Sequence, residues 1–315
     1  MKIVSADQIH AALDWQGVLD ALHQVHQGPR PQIDDYYLGD TEYGLFSRGV
    51  ILPGVGAGVK IASIFPANLQ AEPPRPAEQA AFVVIDERTK AISAIFDGPA
   101  ITAWKTAGDS VLAARRLSRE DSAVLLVLGA GPVARALTEA YLHIRPGIGE
   151  VLLWNRTAAR LQPVLEDLCK RGIDARIVTD LDSAVARADI ITSATAAATP
   201  CVKGRLVRKG THVDLVGGYR ADMQEADQDL FAVARLFVDD RPSALNSGDL
   251  QIPLRAGIIS ENSIEADLFE LCQSSSWRRQ ASDITVYKNA GGAHLDLTVC
   301  QQVLRQLGAG SFPQR

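Results

Sequence analysis

The segment from Val124 to Thr157, VLLVLGAGPVARALTEAYLHIRPGIGEVLLWNRT, constrains the fold more than any other. An apolar run of strand length meets a glycine cluster. A helix-like stretch follows, and a second apolar run closes the unit. Apolar strands alternating with helical periodicity build parallel sheets covered on both faces. The same rhythm runs on through ARIVT, DIITSAT, THVDLVGG, RLFVDD and DITVYKN, with helical stretches between most of them. The expected fold class is α/β, a Rossmann-type doubly wound parallel sheet.

Gly129-Ala130-Gly131-Pro132-Val133-Ala134 is a GxGxxA form of the dinucleotide fingerprint. Gly129 permits the tight turn, Gly131 lets the backbone approach a pyrophosphate, and Ala134 is small enough for close helix–strand packing. Pro132 suits a first helical turn, where its missing N–H costs nothing. Amides at such a helix start hold an anionic diphosphate. The strand-turn-helix context is what gives a short glycine motif its weight. The second strand ends in Asn155-Arg156-Thr157. An acid there would grip ribose hydroxyls and repel a 2′-phosphate. Neutral Asn155, with Arg156 and Arg160 nearby, favours NADPH as cofactor, with NADH as the alternative. Thr157 is expected to cap the next helix and to donate to that phosphate.

Ahead of this region the pattern differs. Ser5 to Gln8 resembles a capping box and opens one amphipathic helix that ends at Gly28-Pro29. Residues 36 to 97 read as β structure, with FSRGVILPG, GVKIASIFP, AAFVVID and AISAIFDG as strands and 87 to 91 as a hairpin loop. Helical periodicity returns over AITAWKTAGDSVLAARRLS. The charged SREDS stretch places a domain boundary near 120, between domains 1–119 and 120–292. Arg48, Lys60 and Lys105 sit beside strands or in a helical run, the two lysines among apolar or small residues. Burying an unpaired charge is costly, so a cluster of such cations suits an anionic substrate, most simply a carboxylate.

Composition excludes several classes. The net charge of −5 argues against a nucleic-acid-binding face. No apolar run reaches a membrane span, and the start shows no secretory signal pattern. Four scattered cysteines form no CxxC pair, and His23 and His26 lack companion ligands, so no metal site is expected. A cytoplasmic protein with free thiols is the expectation.

Almost end to end, the chain resembles the ornithine cyclodeaminase and mu-crystallin family. The resemblance lies in GVKIASIFPAN, the hairpin AAFVVIDERTKAISAIFDG, the helix AITAWKTAGDSVLAARRLS, VLGAGPVAR, LFVDD with SALNSGDL, and ITVYKNAGGAHLDL. It implies a homodimer, and a Rossmann domain beside an α+β substrate and dimerisation domain that a closing helix, 293–315, completes. It also implies that Arg48, Lys60 and Lys105 bind a substrate carboxylate. Lys105 replaces what is usually arginine, so a two-pronged grip becomes a point charge.

The family's cyclodeaminases carry an aspartate after a Gly-Gly pair. Here Gly217-Gly218 is followed by Tyr219, and Asp222 comes three residues later. The loss of that acid points to the branch that resembles delta-1-pyrroline-2-carboxylate reductases. The implied reaction is NAD(P)H-dependent reduction of a cyclic imino acid, with the five-membered ring giving L-proline and the six-membered ring L-pipecolate. Ornithine cyclodeamination, alanine dehydrogenation and NADPH-dependent ligand binding without turnover are the rivals. Lys60, Asp222 and water are all open as proton donor. By position, Thr195, Ala196, Val216, Gly217, Gly291 and His294 are expected near the cofactor. His294 reads equally as an acid and as a hydrogen-bonding residue at a helix start.

Overall fold

The computed structural model describes residues 1–40, 42–73, 75–274, 277 and 279–308. The chain divides into two compact units, Met1–Lys105 with Gly292 onward, and Thr106–Gly291.

The first unit opens with β1 (Lys2–Val4), α1 (Ala6–Ala12) and α2 (Trp15–His26). The expected capping box is present: Gln8 N donates to Ser5 Oγ, and Ser5 N donates to Gln8 Oε1. One helix was expected and two form, because Asp14 accepts from Gly17 N at 2.8 Å and caps a new start. Strands β2 (Gln32–Gly39), β3 (Gly44–Leu52), β4 (Gly56–Ile64), β5 (Glu78–Ile85) and β6 (Ile92–Asp97) follow. They form a six-stranded sheet in the order β1-β6-β5-β4-β3-β2, antiparallel except for β1 against β6. Helix α3 (Gly98–Leu117) begins in this unit, and the closing helix Ala293–Gln306 returns to pack on α2, β3 and β4. From residue 309 the expected extent of that helix lies outside the described residues.

Alternation gives this sheet two unlike faces. Val50, Leu52, Ala62, Phe82, Val84 and Phe96 share one face and are buried. Tyr36, Leu38, Ile51 and Ile61 point the other way and are 54%, 57%, 55% and 42% exposed. Arg48 and Lys60, directly opposite each other in the β3–β4 register, lie on the buried face.

The second unit contains β7 (Val124–Leu128), α4 (Pro132–Ile144), β8 (Glu150–Trp154), α5 (Gln162–Lys170), β9 (Ala175–Ile177), α6 (Leu181–Arg187), β10 (Ile190–Ser193) and β11 (His212–Leu215). It continues with α7 (Gln228–Val233), β12 (Arg235–Val238), α8 (Arg241–Leu245), α9 (Gly248–Arg255), β13 (Ile264–Asp267), α10 (Leu268–Gln273) and β14 (Thr285–Lys288). Eight parallel strands take the order β13-β12-β14-β11-β10-β7-β8-β9. The order reverses between β7 and β10. Right-handed crossovers then send the connections on either side of that point to opposite faces. The central strands are buried on both faces, and β10, β11 and β14 bury polar or charged side chains beside their apolar ones.

The unit break falls inside α3, not at the SREDS stretch near 120. From Thr106 onward the helix bonds with the second unit: Thr106 O accepts from Asn289 Nδ2 at 3.0 Å, Ser110 Oγ donates to Asp214 at 2.9 Å, and Asp109 accepts from Tyr287 OH at 2.8 Å. The return crossing comes at Gly291–Gly292. Among the described residues, no helix is long and apolar enough to cross a membrane.

Candidate active site

In the second unit, the site lies at the carboxyl ends of β7, β8, β10 and β11, where the order reverses. Gly129 has φ +118°, and a Cβ there would lie 2.6 Å from Ala194 O, so both conformation and spacing demand glycine. Gly131 differs: its φ of −80° is ordinary, and a Cβ would meet nothing within 4 Å. Glycine leaves open space at the start of α4, which no side chain caps. Pro132 is the first residue of the helix, and the following amides, Val133 among them, have no carbonyl one turn earlier. Ala130 and Val133 are half-buried flanks of this turn. An uncapped, roomy helix start fits a diphosphate.

At the end of β8, Asn155 Nδ2 donates to Thr157 O at 2.9 Å and closes the turn. The expected Thr157 cap does not form; the short 3-10 turn that follows has no side-chain cap bond. Arg156, Thr157 and Arg160 are exposed. Neither arginine has an ion-pair partner among the described residues.

Thr195 and Gly217 lie at the edge as expected, but their amides face a protein group. Glu225 Oε1 accepts from Thr195 N at 2.7 Å, Thr195 Oγ1 at 2.8 Å and Ser193 Oγ at 2.5 Å, while Oε2 accepts from Gly217 N at 2.5 Å. Ala196 is exposed and Val216 half-buried beside them. Gly291, φ +75°, donates its amide to Asp239 at 2.5 Å, and Ala290 N donates to the same oxygen at 2.9 Å. Burial pushes the Asp239 carboxyl up to about 6, against the pull of these amides.

The first unit holds the cationic cluster. Lys60 Nζ donates to Thr102 Oγ1 at 2.7 Å and stands 3.9 Å from Asp296 Oδ1. Lys105 Nζ stands 3.7 Å from Asp296 Oδ2. Lys105 and Asp296 are almost fully buried. Two ammonium groups therefore share one carboxylate. Arg48 keeps its place beside Lys60 on the sheet but turns to Asp35, whose Oδ2 accepts from Nε at 2.9 Å and Nη2 at 2.5 Å.

Two expected acids are engaged by other groups. Asp222 is 65% exposed and clasped by Arg220, at 2.9 and 2.8 Å. That hydrogen-bonded pair holds its carboxyl below the usual range, so it offers no proton at neutral pH. His294 belongs to the first unit and is buried. Burial, then His26, Lys105 and Arg30, lower its pKa well below the usual imidazole range and keep it neutral. His26 Nδ1 donates to Leu22 O at 2.7 Å, since a carbonyl can only accept. His26 Nε2 and His294 Nε2 share a hydrogen bond at 3.3 Å. Of the two expected roles, the structure gives His294 the hydrogen-bonding one.

Sequence reasoning missed Asp296, Glu225, Asp249 and Lys288. Asp296, Asp249 and Lys288 carry the signal used for Lys60, an ionisable residue among apolar or small ones, in AHLDL, SGDL and TVYKN, whereas Glu225 in MQEAD does not. Lys288 and Asp249 form a fully buried pair at 3.0 Å.

Residues 53–310 match the ornithine cyclodeaminase/mu-crystallin family model. A delta(1)-pyrroline-2-carboxylate reductase of Paracoccus denitrificans is 43% identical over 295 residues, 93% of each chain. The chain belongs to the ornithine cyclodeaminase/mu-crystallin family. A second such reductase in the family, from Colwellia psychrerythraea, is 32% identical over 98% of this chain and 99% of its own. Among solved structures, the delta(1)-pyrroline-2-carboxylate reductase of Thermococcus litoralis, in complex with NADH and L-proline, superposes with a TM-score of 0.91. It is 26% identical over 99% of both chains.

The open space at Gly131 gives a direct expectation. Gly131→Val should shift thermal stability little, by about 1 kcal/mol or less at this capping position. It should raise the Kd for NADH or NADPH by roughly two orders of magnitude, through the loss of close contact with the diphosphate. Cofactor fluorescence titration beside calorimetry would check both halves.

Proposed function

We infer that the protein is an NAD(P)H-dependent imine reductase that converts delta-1-pyrroline-2-carboxylate to L-proline, and takes the six-membered delta-1-piperideine-2-carboxylate to L-pipecolate as well. The buried Lys60–Asp296–Lys105 cluster carries this reading. Two ammonium groups stand within 4 Å of one buried carboxylate, a cationic setting suited to a substrate carboxylate. The printed activity of the 43% identical relative supports the identity of that acid.

The chemistry asks little more of the chain. When bound, the reduced dinucleotide supplies a hydride to the imine carbon. A cyclic imine protonated on nitrogen is already an electrophile, so a residue acid is dispensable. The exposed, ionised Asp222 and the neutral His294 fit that economy. Lys60 and Lys105 hold the carboxylate and fix the ring, Lys105 buried and Lys60 partly so. Thr102 holds Lys60 in place through its hydroxyl. Tyr219 stands where the family's cyclodeaminases have the aspartate that assists amine chemistry.

The preferred cofactor is NADPH. Asn155 brings no negative charge to the ribose, and exposed Arg156 and Arg160 suit a 2′-phosphate. The working form is a homodimer in the cytoplasm. Its interface is the uncovered face of the first unit's sheet, where Tyr36, Leu38, Ile51 and Ile61 form an apolar surface of the kind that partners bury.

Three outcomes follow from this reading. NADPH absorbance should fall with either cyclic imine, whereas ornithine should release no ammonia; ornithine turnover in its place would select cyclodeamination. Lys105→Ala should raise the KM for the imine roughly 10- to 100-fold, the worth of a charge-assisted hydrogen bond, and leave NADPH affinity alone. Arg156→Ala should weaken NADPH binding about tenfold, leave NADH binding unchanged, and show its effect in parallel titrations of the two cofactors.

A further inference from the structure

We propose that Glu225 is the positioning residue of the dinucleotide site, a buried carboxylate that ties the ends of β10 and β11 together and so fixes the sheet edge on which the cofactor lies. This rests on the dinucleotide reading given above.

Four donors from two strand ends converge on one side chain. Ser193 and Thr195 come from β10 and the residues just after it, and Gly217 from just after β11. Thr195 N and Gly217 N are backbone donors that cannot reverse, and they occupy different oxygens of the carboxylate. Glu225 is itself held: its own N donates to Asp249 Oδ1 at 2.7 Å, and Asp249 Oδ2 accepts from Lys288 Nζ at 3.0 Å. Its carbonyl accepts from Cys201 N and Val202 N at 2.8 and 2.9 Å. The chain from Lys288 on β14 through Asp249 on α9 to Glu225 thus anchors the edge to the centre of the sheet.

A purely structural tie would not need a charge here. Glu225 is fully buried, and desolvation followed by repulsion from Asp249 pushes its carboxyl up to about 7, against the pull of Lys288 and its donors. The ionisable groups around it are Asp249, Lys288 and Cys201, whose thiol burial and Glu225 together raise. A proton on either oxygen opposes a fixed N–H at that oxygen. The full set of four donors therefore belongs to the ionised form, present above about pH 7 and lost as pH falls through it. The two loops that the charge holds are the ones a dinucleotide meets at the fourth and fifth strands.

The test is NADH and NADPH binding to the full chain, followed by cofactor fluorescence across the neutral pH range. In the unaltered protein, affinity should weaken as pH falls through about 7. Glu225→Gln keeps the shape but sets an amide NH2 against a fixed donor. It should raise Kd and cofactor KM roughly tenfold, change kcat at saturation much less, and remove the pH response. A folded Glu225→Gln with unaltered Kd and pH response overturns the proposal, as does a loss of thermal stability with no change in Kd. Should that variant fail to fold, Ser193→Ala removes one donor from the same oxygen. It should raise Kd a few-fold and keep the pH response; unchanged Kd again overturns the proposal. If the unaltered protein binds neither cofactor, the dinucleotide reading fails first and this one falls with it.

Discussion

Taking an ionised group out of water costs several kcal/mol unless partners replace the lost hydration. Both units of this chain are organised around that constraint. In the first, Lys60, Lys105 and Asp296 persist in a buried layer because each offsets another. In the second, Glu225, Asp249 and Lys288 do the same, and Glu225 draws in the ends of two strands as further partners. Apolar burial makes the layers; the residual charges decide where they can be opened to a ligand.

The two clusters differ in what they leave unsatisfied. Glu225 and Asp249 are supplied with donors on both oxygens. Asp296 Oδ1 has no hydrogen-bond partner among the described residues, and its lysines stand at 3.7 and 3.9 Å, farther than a tight ion pair. A saturated network holds shape. A looser one holds its charges through longer contacts.

Much of this was legible in the sequence, and for physical reasons. Strands buried on both faces are rich in apolar residues, so β7 and β8 declared themselves, and β10, β11, β12 and β14 followed from their apolar pairs and from the strand-helix alternation. Gly129 and Gly131 were readable because a tight turn and a close approach each need a missing Cβ. Lys60 and Lys105 stood out because charge inside an apolar run needs an explanation. The short strands β1 and β13 did not stand out, since three or four residues carry little periodicity. The break between α1 and α2 hid in Asp14, whose cap works only once Gly17 follows in helical geometry. Asp222 misled because proximity in sequence to a Gly-Gly pair says nothing of direction: it turns to Arg220 and solvent. Asp296 showed as a charge in an apolar run, but its role stayed hidden because its partners lie on β4 and α3, far away along the chain.

The Gly217-Gly218 pair carries a consequence of its own. A Cβ on Gly217 would strike Thr195 O and the Glu225 carboxyl, and one on Gly218 would lie 2.6 Å from Asp249 Cγ. These glycines are thus imposed from beneath by two acids, before any ligand is considered. A side chain at Gly218 could enter only if the Asp249 carboxyl moved, whereas at Gly217 it would still meet the Thr195 backbone carbonyl even with Glu225 displaced.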